Sequence, residues 1–348
     1  MGQNISITNH NGLLKLKRNK RRGSKKASSS VGNDVSATSS TISSLQKSKA
    51  EESYQSSSII IHDHEYIFPK AVSATSLDLR DLPYDTLKSE DDRMNANQFA
   101  LKALFGGNYL EEVGKHIDFE STHTKVLDIG CGAGGWVMDM ATEHPATHFI
   151  GLDKVSLFPQ CIRPANVSFV QHDATLGLPY EDNTFDLVHM RMFLIAFNKY
   201  QYAECMKEAF RVTKPNGIVQ LLEVEMVDDG DQLVKDFGVA VERIMAANDQ
   251  DAMIAQKLST IMSTYGFTPI QEVRKSFRLN NHPLASEFLY IFDISLDTVK
   301  RIVFAVYGLS TEDEYKRWKR KWLESRKNTS TSTWWCAAGQ KVVAAAAN

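Results

Sequence analysis

The chain has 348 residues, 43% of them hydrophobic, which is enough apolar content for one large domain or two modest ones with a sizeable core. Its net charge of −2 conceals an asymmetry: residues 1–70 hold 11 Lys/Arg against 5 Asp/Glu, which leaves 29 against 37 for the remainder. The mildly acidic body argues against a nucleic-acid groove, and the four scattered cysteines suggest neither a disulfide framework nor a metal site. No apolar run approaches the roughly 18 residues that span a bilayer, and no secretory signal is expected at the start.

Residues 1–58 read as a disordered tail. Eight Lys/Arg fall between Lys15 and Lys26 with no acid before Asp34, and Ser/Thr then dominate to Ser58, so little there offsets the entropy of ordering. Met1-Gly2 with Ser6 fits the M-G-x-x-x-[ST] pattern for N-myristoylation, and the basic cluster supplies the second signal that stable anchoring takes. The expected location is cytoplasmic, with peripheral membrane contact through residues 1–26; "KRNKRRGSKK" as a nuclear address is the alternative.

Residues 59–120 form an N-terminal extension in which "SEDDRMNANQFALKALFG" predicts an amphipathic helix. Asp91 and Asp92 lie in its first turn, Met94, Phe99, Leu101 and Leu104 are its packing candidates, and Gly106-Gly107 is its stop. From residue 121 onward short apolar runs alternate with helical ones. The strands are "KVLDI", "HFIGLD", "VSFVQHD", "FDLVHM" and "GIVQLLEVE"; helices fall at 134–143, 200–212 and after Asp231. Strands buried on both faces and separated by helices predict a parallel sheet of βαβ units. A helix at 252–265, a strand at 269–277, helical stretches at 284–307 and 311–327, and a final strand in "STWWCAAGQKVV" follow.

The segment "VLDIGCGAGG" turns from the first of these strands into the first helix. Its glycines fit both the G-x-G-x-x-G of nicotinamide and flavin enzymes and the G-x-G-x-G of S-adenosylmethionine (SAM) enzymes. In such sheets ligands bind beyond the carboxyl ends of the strands, and Gly130 and Gly132 are placed to let ligand atoms approach the backbone. Asp153, closing "GLDK", suits two ribose hydroxyls of either cofactor. Asp173-Ala174, closing the third strand, separates the readings: a carboxylate beside a backbone amide there suits an adenine amino group as SAM sites hold it.

With "FDLVH" and "VTKPNG" following in order, the chain resembles class I SAM-dependent methyltransferases over residues 84–341, and more narrowly the fungal group that includes regulators of secondary metabolism. The resemblance implies an α/β, Rossmann-like seven-stranded sheet with the last strand antiparallel, a late helical insert between strands six and seven, and SAM as cofactor. It places Asp128, Gly130, Gly132 and Gly134 in the first cofactor motif, Asp153 at ribose, and Asp173 with Ala174 at adenine. The methyltransferase domain is expected over 121–348, with residues 284–327 as a helical lid over the acceptor.

His189, at the carboxyl end of the fourth strand, is the candidate general base. Its other reading is a hydrogen-bonded structural histidine that orients Arg191 or the cofactor. Neither N-P-P-[YF] nor a Pro-Cys pair follows that strand, which argues against base amines and pyrimidine carbon-5 as acceptors. A small-molecule or protein acceptor is expected. The alternative is a SAM-binding regulator that acts through partners with little turnover.

Overall fold

The computed structural model describes residues 57–61, 64–68, 84–226 and 229–342. The tail expected over 1–58 lies outside them except for Ser57 and Ser58, which open the first strand. That strand, β1 (Ser57–Ile61), pairs antiparallel with β2 (His64–Phe68) as a hairpin. Helix α1 (Tyr84–Phe105) follows and ends where Gly106 takes φ +80°, as the Gly-Gly stop signal predicts. Leu101 of α1 is buried, but Phe99 is 59% exposed and so corrects its expected packing role: it lies on the solvent side of the helix.

The main sheet has seven strands: β3 (Lys125–Ile129), β4 (His148–Asp153), β5 (Val167–Gln171), β6 (Phe185–Arg191), β7 (Thr213–Val224), β8 (Thr268–Arg278) and β9 (Thr331–Gln340). Their order is β5-β4-β3-β6-β7-β9-β8. β3 to β7 are parallel, and β9 is antiparallel to both neighbours, so the expected sheet and its reversed last strand are found. Leu127, Ile129, Leu187, Val188, Ile218 and Val219 are fully buried, because parallel strands are covered on both faces. Each such side chain contributes about 1.5–3 kcal/mol relative to exposure.

Between the strands lie α2 (Glu111–His116), α3 (Gly135–Glu143), α4 (Lys199–Val212), α5 (Gln232–Ala247) and α6 (Leu258–Thr264). Asn198 caps α4 through a capping box with Gln201. The insert between β8 and β9 departs from the two expected helical stretches. It holds three helices, α7 (Ala285–Thr298), α8 (Lys300–Tyr307) and α9 (Glu312–Thr329), since the chain leaves helical geometry at Val299. The insert packs on α1 and α5. With Phe237 of α5 it builds a second apolar cluster of Leu296, Val303, Tyr315 and Trp322. A Glu90–Thr298 hydrogen bond ties α7 to the start of α1.

Candidate functional site

The carboxyl ends of β5, β4, β3 and β6 lie side by side on one edge of the sheet, and the predicted residues gather there. The turn after β3 takes left-handed φ at Gly130 (+69°), Gly132 (+54°) and Gly134 (+78°), a conformation that side chains resist. It is anchored to the next strand: the amides of Gly130 and Cys131 donate to the Leu152 carbonyl at 2.7 and 3.0 Å. A Cβ on Gly130 would meet Phe193 Cζ at 2.4 Å, and one on Gly132 would meet Met94 Sδ at 2.8 Å. The turn is therefore overlain by α1 on one side and by the loop after β6 on the other. Gly134 serves packing: a Cβ there would strike Phe169 at 2.6 Å, whose ring stacks on Phe158.

Asp153 ends β4 and accepts from the Gly132 amide at 2.8 Å through Oδ2 and from the Val155 amide at 2.9 Å through Oδ1. Burial raises its pKa against those amides, and each oxygen keeps a lone pair for a ribose hydroxyl. Asp173 caps a single 3-10 turn that starts at the buried Ala174, accepting from the amide and hydroxyl of Thr175 at 3.0 and 2.7 Å. Its Oδ2 pairs with the exposed Lys154 at 2.9 Å. Burial raises the Asp173 pKa, and its hydrogen bonds from Thr175 and Lys154 outweigh that, so the carboxyl sits below its ordinary value.

Two further expected residues, His189 and Asp128, lie together beneath the surface. His189 is 1% exposed, its Nδ1 lies 2.8 Å from Asp128 Oδ1, and its ring stacks on Trp136 at 3.9 Å between centroids. Burial lowers its pKa and the adjacent Asp128 opposes that. Through Nδ1 the imidazole is a structural partner of Asp128, and the ring lines a small cavity with Trp136, Gln98 and Arg191. Asp128 is 2% exposed and engages that histidine through Oδ1, two residues before the glycine turn. Cys131 has its thiol pKa pushed well up by burial, which removes it as a nucleophile.

Sequence reasoning missed the residues that shape the other wall. Met192 takes φ +61°, unusual for a non-glycine residue, at the first step out of β6. The loop it starts is held by Glu223, a fully enclosed carboxylate at the end of β7 that accepts from the amides of Phe193 and Leu194 at 2.8 and 3.2 Å. Burial pushes the Glu223 pKa up to about 8. A lone acid in the apolar run "IVQLLEV" was the signal that could have drawn attention to it.

Residues 126–217 match the methyltransferase domain family. Among curated proteins the chain is 29% identical to the secondary metabolism regulator laeA of Coprinopsis cinerea over 41% of this chain and 35% of that one. It is 30% identical to a demethylmenaquinone methyltransferase of Lactococcus lactis, over 40% and 56% respectively. An N-methyltransferase, tcpN of Claviceps purpurea, is 27% identical over 40% and 50%. The chain thus spans between about a third and a little over half the length of these relatives. Among solved structures, phosphoethanolamine N-methyltransferase 2 of Haemonchus contortus in complex with SAM matches with a TM-score of 0.44 and 19% identity, over 80% of this chain and 62% of that one.

In its fold, its glycine turn and the match of residues 126–217 to the methyltransferase domain family, the chain resembles class I, SAM-dependent methyltransferases. Within that class the chain resembles the fungal secondary-metabolism regulators. The residues present fit the cofactor: a glycine-rich turn backed by carboxylates at the next two strand ends. Bound there, SAM supplies a methyl group already activated on a sulfonium.

Proposed function

We propose that the protein transfers the SAM methyl group to a small-molecule or protein acceptor. The observation that carries this reading is the row of Asp173, Asp153 and the Gly130–Gly132 turn on three adjacent strand ends, with the loop of residues 192–197 beside the turn. The acceptor nucleophile forms the new bond to the methyl carbon as the carbon–sulfur bond breaks, the electron pair stays on sulfur, and the acceptor's proton leaves to solvent. The chain's residues bind, align and exclude water, and the insert of α7 to α9 is proposed as the acceptor-side cover. Turnover of SAM to S-adenosylhomocysteine on addition of a metabolite or protein extract tests the reading; absence of turnover with every fraction contradicts it.

A second reading, a SAM-binding regulator with little turnover, is favoured by one observation: His189, the candidate base, is buried, with Nδ1 on Asp128 and one ring face on Trp136. It would show as SAM binding without turnover. For location we propose membrane attachment from the cytoplasm through an acylated Gly2 and the basic cluster at 15–26, with nuclear import as the alternative. A Gly2→Ala variant that fractionates like the wild type rules out the lipid anchor.

A further inference from the structure

We infer that the outer face of α9 is a docking surface for an anionic lipid bilayer; the inference deepens the membrane reading above and rests on its choice of the cytoplasmic leaflet. Lys316, Arg317, Arg320, Lys321 and Lys327 are all exposed, and their spacing puts them on one side of the helix. They extend over about 16 Å at 1.5 Å per residue. Among the described residues, none of the five forms an ion pair with a carboxylate. Asp313 and Glu324 share the face, which leaves it an excess of three cations. Glu314 and Asp231 lie within electrostatic reach of Arg317 and Lys321, and both are turned to helix amino ends, where Glu314 completes the capping box of α9 and Asp231 caps α5.

The opposite side of α9 is occupied. Tyr315 and Trp322 are buried in the cluster with Phe237, Trp318 packs beside them, and the helix lies along α5, α7 and α8. Lys319, on the flank, is paired with Asp293 and Asp297. A nucleic-acid reader projects a helix into a groove or interleaves aromatic platforms with its cations. Here the helix is laid against the body and its three aromatic side chains turn away from the charged face, so a broad array of anionic headgroups is the better match.

The charge of the rest of the body favours the same contact. Residues 71–348 hold 29 Lys/Arg against 37 Asp/Glu, so the domain as a whole is repelled by an anionic leaflet and settles only with a net-positive face toward it. With its apolar side committed to the core, α9 has nothing to insert, and the attraction is electrostatic and screened by salt. This orientation turns the insert of α7 to α9, the proposed acceptor-side cover, toward the lipid.

The test is sedimentation of the full, unacylated chain with vesicles of phosphatidylcholine alone and of phosphatidylcholine mixed with phosphatidylserine. Each cation near such a leaflet is worth about fivefold in affinity. Lys316→Gln, Arg320→Gln and Lys327→Gln combined remove the excess and should weaken binding to the mixed vesicles by about a hundredfold, and high salt should release the wild type. Arg320→Glu alone should cost about twenty-fivefold and serves if the triple variant does not fold. A triple variant that binds like the wild type overturns the surface; if neutralising Lys20, Arg21 and Arg22 then abolishes binding, the tail's membrane reading stands without it. Weakening by the triple variant but not by the tail variant keeps the α9 surface and removes the basic cluster of the tail. A wild type that binds neither vesicle overturns both. A triple variant that loses binding to a double-stranded DNA oligonucleotide but keeps vesicle binding overturns the surface and assigns the face to nucleic acid.

Discussion

Glu223→Gln isolates one buried ionisation and ties it to the loop beside the glycine turn. The carboxyl has a folded pKa of about 8 against an ordinary 4.5, because burial outweighs the amides of Phe193 and Leu194. Between those values the folded protein keeps a proton that the unfolded chain has released, so the folded state binds more protons and stability must fall as pH rises. The loss begins near pH 4.5, continues to about 8 and then levels off. The gap between the two pKa values sets a ceiling on the order of 5 kcal/mol, at about 1.4 kcal/mol per pH unit. Glutamine keeps the shape without the titration. Urea unfolding at pH 5, 6.5 and 8.5 should therefore show the two proteins similar at the lowest pH, with the variant gaining a few kcal/mol on the wild type at the highest. Parallel stability profiles would refute the reasoning, since they would mean that Glu223 reaches water or a counter-ion in solution.

Three further outcomes follow from the same contacts. Gly132→Val, at φ +54° and facing Met94, should abolish SAM binding in calorimetry and cost about 1–3 kcal/mol of backbone strain in thermal melting; normal binding would mean that the turn does not carry the ligand. His189→Ala leaves the Asp128 carboxylate buried without its partner and should destabilise the protein by about 3 kcal/mol or more, so an unchanged melting temperature would show that the pair is not buried as described. Lys154→Ala removes the competitor for Asp173 Oδ2 and should tighten SAM up to about fivefold, the upper worth of an exposed ion pair, whereas unchanged affinity takes Asp173 out of the adenine site.

What could be read from the sequence was what lies close together along the chain. The strand runs around Leu127, Ile150 and Val188 are apolar because both faces of a parallel sheet are covered, and the glycine turn sits within six residues, so the sheet and the cofactor end were both legible. What was hidden depends on distant pairs. The partner of His189 is set by strand register, which places it opposite Asp128, a neighbour 61 residues away. Gln98 reaches Arg191 across 93 residues, and Glu223 reaches Phe193 across 30, and neither contact leaves a spacing pattern. The break at Val299 was also invisible, since "DISLDTVKRIVF" has no glycine or proline and its apolar residues continue through the bend.

The central claim is that this glycine turn and its two carboxylates hold SAM and not a dinucleotide. Titration calorimetry of the full chain with SAM and, separately, with NAD tests it most directly. The account predicts saturable SAM binding, with NAD at least about tenfold weaker, a difference of about 1.4 kcal/mol. NAD binding as tightly as SAM, or more tightly, would contradict it.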